Sequence, residues 1–346
     1  MPKKIFLSAG GTGGHVFPAI SLMETDEDNK YYFLIDKRTE NILIKHKLNY
    51  FKIESSRIKF NIFLPFYLFK IFIGIIQSIF IFLNYKPDLV VGFGGYTSVP
   101  SIIAAKLLNI KIIIHEQNAV MGRANQILSY LTKNIALTFE NTKNASKDSV
   151  YTGIPIRKNN LKTKKNSLQK TIFIVGGSQG ALSFSTIIPR IISNFSRKNK
   201  KELLIIQQTR KGYKEELEKI YNQMKLNCEV EEFFENIYEQ YNNADVIISR
   251  CGASTLAEIQ SFKKSVILVP LPSSMNNHQY LNAIEFKKKN NCIILDEKRI
   301  ELESEIKIIE KYIFLKQNSY KLKKNTKTNT NLTLSKLINK ILNQND

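Results

Sequence analysis

The chain has no tryptophan and only three cysteines, Cys228, Cys251 and Cys292, in 346 residues. No two of them have the short spacing of a metal knuckle or a redox pair, so those chemistries are excluded and the three read as buried thiols in a reducing compartment. A long apolar leader is also missing. The start, MPKKIFLSAGGTGG, is basic but turns at once into a strand and a glycine loop, and the expectation is a cytoplasmic location. No Gly-Lys-Ser or Gly-Lys-Thr follows any glycine cluster, which removes the P-loop. Acidic residues are scarce: 30 Asp and Glu face 51 Lys and Arg, a formal net charge of +21. Such an excess suits an anionic partner, whether lipid headgroup, phosphate-rich substrate or nucleic acid. The lysines are scattered rather than set in a stripe with stacking aromatics, which argues against nucleic acid. The same excess, with abundant Asn and Ile, is also what compositional drift produces.

What is present is an ordinary globular composition, 43% hydrophobic and 23% charged, on a chain longer than one hydrophobic core usually serves. Short β-branched or aromatic runs alternate with segments of helical spacing, the pattern of βαβ units and a parallel sheet. The alternation occurs twice. Strands are expected at Lys4–Ser8, Tyr31–Asp36, Phe51–Glu54, Asp88–Phe93, Lys111–Glu116 and Ile135–Phe139, then at Thr171–Val175, Glu202–Gln207, Glu229–Phe233, Asp245–Ser249, Ser265–Pro270 and Cys292–Leu295. A polar, Lys-rich stretch between the halves reads as a linker. The expected division is 1–157, a linker at 158–170, 171–325, and a closing helix within 326–346 that returns to the first domain. The run Ile62–Leu83 is apolar and long enough to cross a bilayer. A single crossing there would place strands of one sheet on opposite sides of a membrane, so an amphipathic or buried crossover helix is expected instead.

Glycine loops follow four of the strands, at Ala9–His15, Gly92–Ser98, Gly176–Gly180 and Arg250–Thr255. Each precedes a helical segment. Glycine strips side chains from such a turn and lets the N–H groups of the helix start approach an anion, which points to a diphosphate. A nicotinamide dinucleotide competes for the first loop, because Asp36 closes the next strand where a ribose carboxylate belongs. The third glycine of that fingerprint is Val16 here. Pro18 is expected near the start of the helix, where a missing N–H costs little. His15 opens that helix and could take a proton from an attacking hydroxyl, whereas His115 could simply orient its loop. Glu258 follows the Arg250 loop, where a carboxylate either sits solvated in the first helical turn or accepts hydrogen bonds from a ribose.

The motifs GGTGGHVFPA (Gly10–Ala19), KPDLVVGFGGYTS (Lys86–Ser98), HEQN (His115–Asn118), GIPIR (Gly153–Arg157), GGSQGA (Gly176–Ala181) and RCGASTLAE (Arg250–Glu258) occur in this order. With them the chain resembles the MurG family, transferases that convert lipid I to lipid II in peptidoglycan synthesis. The resemblance implies an α/β fold of two Rossmann-like doubly wound domains facing across a cleft, the GT-B architecture. It implies the donor UDP-N-acetylglucosamine in the second domain and an undecaprenyl-linked acceptor at the first. Thr12, Gly13 and Gly14 would face the donor phosphates and the acceptor, while Asn118 and Arg157 would reach across the cleft. Ser178 would meet the diphosphate, Phe234 the uracil, Ala253, Ser254, Thr255, Leu256, Ala257 and Glu258 the phosphates and ribose, and Gln279 the sugar. The base would be His15 or, alternatively, Glu116. No cofactor or metal is implied, and the only Asp-x-Asp, Asp26–Asp28, lies in a polar loop. The further partner would be the anionic inner face of the cell membrane, held peripherally, and not nucleic acid. Another GT-B lipid glycosyltransferase using a UDP-sugar is the alternative. His278-Gln279 stands where some members have two glutamines.

Overall fold

Each β-branched run named above becomes a strand, its ends shifted by no more than two residues. The computed structural model describes residues 2–26, 28–58, 61–156, 169–177, 180–314 and 333–344. The chain divides into one unit of Met1–Lys158 with Thr328–Asp346 and a second of Asn159–Lys327. Of the expected linker, 158–168 lies outside the described residues, and Lys170 already opens a strand.

Unit 1 runs β1 (Lys4–Ser8), α1 (Gly13–Thr25), β2 (Lys30–Ile35), α2 (Glu40–Lys45), β3 (Tyr50–Lys52), α3 (Leu64–Tyr85), β4 (Leu89–Gly92), α4 (Ser98–Leu107), β5 (Lys111–Glu116), α5 (Arg123–Leu128), β6 (Ile135–Leu137) and β7 (Val150–Tyr151). Its parallel sheet has the order β3-β2-β1-β4-β5-β6-β7. Strand order reverses between β1 and β4, the point at which a doubly wound sheet opens a crevice at its carboxyl edge. Both faces of the sheet are covered, which is why Ile5, Phe6 and Leu7 are all buried and the strand reads as an unbroken apolar run.

Unit 2 runs β8 (Lys170–Val175), α6 (Leu182–Ser193), α7 (Arg197–Lys201), β9 (Leu203–Gln208), α8 (Lys214–Gln223), β10 (Asn227–Glu231), α9 (Ile237–Asn243), β11 (Val246–Ser249), α10 (Ala253–Gln260), β12 (Ser265–Leu268), α11 (His278–Lys289), β13 (Cys292–Ile294) and α12 (Glu303–Phe314). Its parallel sheet, β10-β9-β8-β11-β12-β13, reverses between β8 and β11. The helix α13 (Leu334–Leu342) belongs to unit 1, where Leu334, Leu337, Ile338 and Ile341 join the core of β1, β2 and α1. Lys111 Nζ donates to Ile341 O at 3.1 Å and Gln344 O at 2.6 Å. A cation on the last carbonyls suits the negative end of the helix dipole.

The run from Ile62 is neither a span nor a buried helix. It forms α3, a crossover between β3 and β4 of one sheet, and its orientation is the reverse of a usual surface helix. Three small or polar residues within the apolar run, Gly74, Gln77 and Ser78, face the protein. A Cβ on Gly74 would lie 1.9 Å from Glu54 O, Gln77 Oε1 accepts from Glu54 N at 2.7 Å, and Ser78 Oγ donates to Gly74 O. Buried positions are Ile71, Gly74, Ser78 and Phe82, the last edge-on to Phe6. Phe66, Leu68, Phe69, Phe72, Phe80 and Leu83 are exposed, between 49% and 63%.

Candidate active site

In unit 1 the loops after β1, β4 and β5 meet at the carboxyl edge of the sheet. The first passes so close to the second that a Cβ on Gly10 would sit 2.2 Å from Thr97 Oγ1. Gly11 has a φ of +84 and faces the Arg38 guanidinium. Asp36 is bonded within unit 1. Its carboxylate accepts from Arg38 N at 2.9 Å, from the Arg38 guanidinium and from Thr97 Oγ1 at 2.8 Å, tying the second glycine loop to the segment after β2. The helix α1 begins at Gly13, behind an exposed Thr12 whose side chain makes no capping bond. Its first N–H groups therefore lack a side-chain partner from the cap residue. Pro18 consequently lies in the second turn, inside the helix, rather than near its start.

His15, in the first turn of α1, has its ring against Gly94 and Gly95, whose φ values of +82 and +73 only glycine adopts readily. Its Nδ1 lies 3.0 Å from Gln117 Oε1. Gln117 in turn reaches the fully buried His115, whose Nε2 lies 2.9 Å from Gly153 O. Burial pushes the His115 imidazole down to about 4, so it is neutral at pH 7. The other base candidate is differently placed. Glu116 is buried, and its carboxylate accepts from Asn118 N, Asn118 Nδ2, Gly122 N and Asn125 Nδ2 at 2.8 to 3.3 Å. With four donors on two oxygens, it holds the turn that carries Asn118 instead of standing ready for a proton.

In unit 2 the loops after β8 and β11 flank the reversal of strand order. A Cβ on Gly176 would meet Ala181 N at 2.1 Å, and Gly180, at a φ of +68, lies under Thr209 O. Ser178, and Arg157 before it, lie outside the described residues. Ala253 starts α10 behind Gly252, which offers no capping side chain. Ser254, Thr255 and Ala257 are half-buried, whereas Leu256 is a core residue. Glu258 falls in the second turn rather than the first, half-buried, with Tyr241 OH 3.5 Å from its Oε2. Phe234 is buried with its ring edge-on to Phe173, and its neighbour Phe233 is exposed. Gln279 Oε1 accepts from Cys251 N and Leu271 N at 3.1 and 3.0 Å, which leaves its amide N–H groups to donate.

Sequence reading gave Arg250 no role of its own. Its guanidinium is buried, stacks 4.4 Å over Phe184, and bonds Ser183 Oγ, Val269 O, Pro270 O and both oxygens of Glu297. The start of α6, the end of β12 and the segment after β13 are thereby fixed around the loop that leads into α10. Burial pushes the Glu297 carboxyl up. The hydrogen bonds from Arg250 and Ser183 and the charge of the guanidinium outweigh this and hold it below its ordinary value.

Residues 5–137 match the glycosyltransferase family 28 N-terminal domain, and residues 171–340 match the family 28 C-terminal domain. A protein of Rickettsia canadensis (strain McKiel), named UDP-N-acetylglucosamine--N-acetylmuramyl-(pentapeptide) pyrophosphoryl-undecaprenol N-acetylglucosamine transferase, is 39% identical over 330 residues, covering 89% of this chain and 93% of that one. The chain belongs to the MurG family. A protein of the same name from Rickettsia bellii (strain RML369-C) is 39% identical over 335 residues, with the same coverage of 89% and 93%. The crystal structure of Acinetobacter baumannii MurG is similar with a TM-score of 0.73 at 29% identity, over 90% of this chain and 92% of that one. The two parallel α/β sheets are those of the MurG family's GT-B fold.

Proposed function

We infer that this chain transfers N-acetylglucosamine from UDP-N-acetylglucosamine to undecaprenyl-pyrophosphoryl-N-acetylmuramyl-pentapeptide, forming lipid II. The observation that carries this reading is the identity shared over 89% of the chain with a protein named for that transfer. Unit 2 takes the donor: the glycine loop after β8 and the start of α10 receive the diphosphate, Glu258 the ribose and Gln279 the sugar. Unit 1 takes the acceptor. His15 removes the proton of the acceptor hydroxyl as its oxygen bonds to the anomeric carbon. The bond from that carbon to the diphosphate breaks on the opposite face, and its electron pair leaves with UDP. Helix-start N–H groups preorganised around the diphosphate stabilise the developing charge. In an assay of labelled N-acetylglucosamine transfer, lipid I should be the acceptor used. Transfer to diacylglycerol and none to lipid I would assign the chain to another lipid glycosyltransferase.

The acceptor is anchored in a bilayer, and the outward aromatic face of α3 is the means proposed for reaching it. Phe66, Leu68, Phe69 and Phe72 would enter the interface at the cytoplasmic face of the inner membrane. Exposed Arg57 and Lys86 and half-exposed Lys70, which pairs with Glu54 at 3.4 Å, would meet anionic headgroups, each worth on the order of 1 kcal/mol. Lys59 lies outside the described residues. In vesicle sedimentation, the double substitution Phe66→Ser, Phe69→Ser should release most of the protein from anionic vesicles, and added salt should weaken wild-type binding. Equal binding of both proteins would rule α3 out as the docking face.

A further inference from the structure

Three side chains of unit 1, His15 and the neighbouring pair His115 and Gln117, form one ordered line that runs from Gly153 O through His115 and Gln117 to His15. The protons on this line can be placed one at a time. Gly153 O can only accept, so His115 Nε2, 2.9 Å away, carries a hydrogen. His115 is fully buried and burial pushes its imidazole down to about 4, so the ring is neutral and its Nδ1 holds a lone pair. That lone pair faces Gln117 Nε2 at 3.1 Å, and the same amide nitrogen lies 3.2 Å from His115 O. Two acceptors thus surround the NH2 end of Gln117. Turning the amide over would bring its oxygen against both, so the orientation is fixed by chemistry and not by convention. Gln117 Oε1 is left as the acceptor toward His15 Nδ1 at 3.0 Å. A neutral His15 must then carry its proton on Nδ1.

We propose that Gln117 and His115 are positioning residues that set the tautomer of His15, so that its Nε2 holds the lone pair that accepts the proton of the attacking hydroxyl. The importance of this for turnover rests on the reading of His15 as the base; the tautomer itself does not. Fixing it in advance matters because the wrong tautomer presents an N–H to the hydroxyl and cannot take its proton, as happens when the partner of a catalytic histidine is altered. When Nε2 gains the proton, the Nδ1–H bond to the amide oxygen persists and holds the imidazolium in place. Gln117 carries no charge, so it orients His15 without the electrostatic pull of a carboxylate.

The test is nitrogen NMR of full-length protein with 15N-labelled histidine at a pH of about 8, above the ordinary imidazole value of about 6.5. The His15 and His115 signals are assigned by their loss in His15→Ala and His115→Gln. Wild type should show His15 protonated at Nδ1 and His115 protonated at Nε2. In Gln117→Leu, and in Gln117→Asn, which withdraws the amide by one methylene, His15 should shift toward the Nε2–H form. The kcat of both should fall about 10- to 100-fold, the range seen when an outer partner of a functional imidazole is removed, with KM for UDP-N-acetylglucosamine unchanged. A wild-type His15 already protonated at Nε2 would overturn the proposal, as would an unchanged His15 tautomer in folded Gln117→Leu. A tautomer that responds as described, in an enzyme whose turnover ignores both Gln117 and His15, would uphold the relay and remove His15 as the base.

Discussion

A folded His15→Ala enzyme is expected to turn over about 100- to 10,000-fold more slowly than wild type, the usual contribution of a positioned base. That is about 3 to 5 kcal/mol of transition-state stabilisation. UDP affinity, measured by calorimetry, should change far less than turnover, because His15 belongs to α1 of unit 1 whereas Glu258 and the start of α10, proposed for the ribose and diphosphate, belong to unit 2. The His15 ring also fills the space above Gly94 and Gly95, so a loss of turnover must be separated from a loss of fold. His15→Gln serves this purpose, since it keeps a group that can bond Gln117 but has no comparable basicity. Near-normal kcat in either folded variant would remove His15 from the chemistry. Glu116 would not inherit the role simply, because protonating it would weaken the four hydrogen bonds that hold its turn.

The second large effect concerns stability. Arg250→Ala leaves the Glu297 carboxylate beside a buried gap, and breaking a buried ion pair by removing one partner typically costs about 3 to 5 kcal/mol. For a unit of this size, the thermal midpoint in calorimetry should fall by roughly 6 to 20 °C. Arg250→Lys should recover only part of the loss, since an ammonium can neither span both Glu297 oxygens nor stack on Phe184. The dependence on pH follows from the depressed Glu297 carboxyl. The pair's contribution is present above the ordinary carboxyl value of 4.5 and is lost as acid protonates Glu297 below it, so the wild type should lose its advantage over Arg250→Ala there. A difference below about 1 kcal/mol at neutral pH would show that Arg250, with its ion pair, its bonds to carbonyls and its contact on Phe184, does not hold the loop.

Much of the architecture was legible because a strand buried on both faces is written as an unbroken β-branched run, and glycine marks where each such run must turn. The two-residue β7 was not, for Val150–Tyr151 is too short to show any period. Apolar content alone also hid the orientation of α3. Gly74 and Ser78, four positions apart on one helix face, were the available sign that the small side faces inward. Of the adjacent aromatics Phe233 and Phe234, only packing on Phe173 decides which is buried. The loops after β1, β4, β8 and β11 were legible from their glycines, but the lines of hydrogen bonds that run from them were not. Gln117 and His15 are separated by 102 positions, Arg250 and Glu297 by 47, and nothing local in a sequence records such pairs. The polar cluster Glu116-Gln117-Asn118 directly after an apolar strand was the nearest signal.

The return of α13 to unit 1 sets an order of events during synthesis. The core built on β1, β2 and α1 has an apolar face that Leu334, Leu337, Ile338 and Ile341 cover, yet these four are translated only after all of Asn159–Lys327. At about 5 to 20 residues per second, a ribosome takes on the order of ten to thirty seconds over that interval. Unit 1 therefore waits with an open seam while unit 2, made later, already has every residue of its own core. The first half of the gene product is the last to close. A chain truncated before Leu334 and released should accordingly present unit 1 to chaperones and proteases and unit 2 to neither.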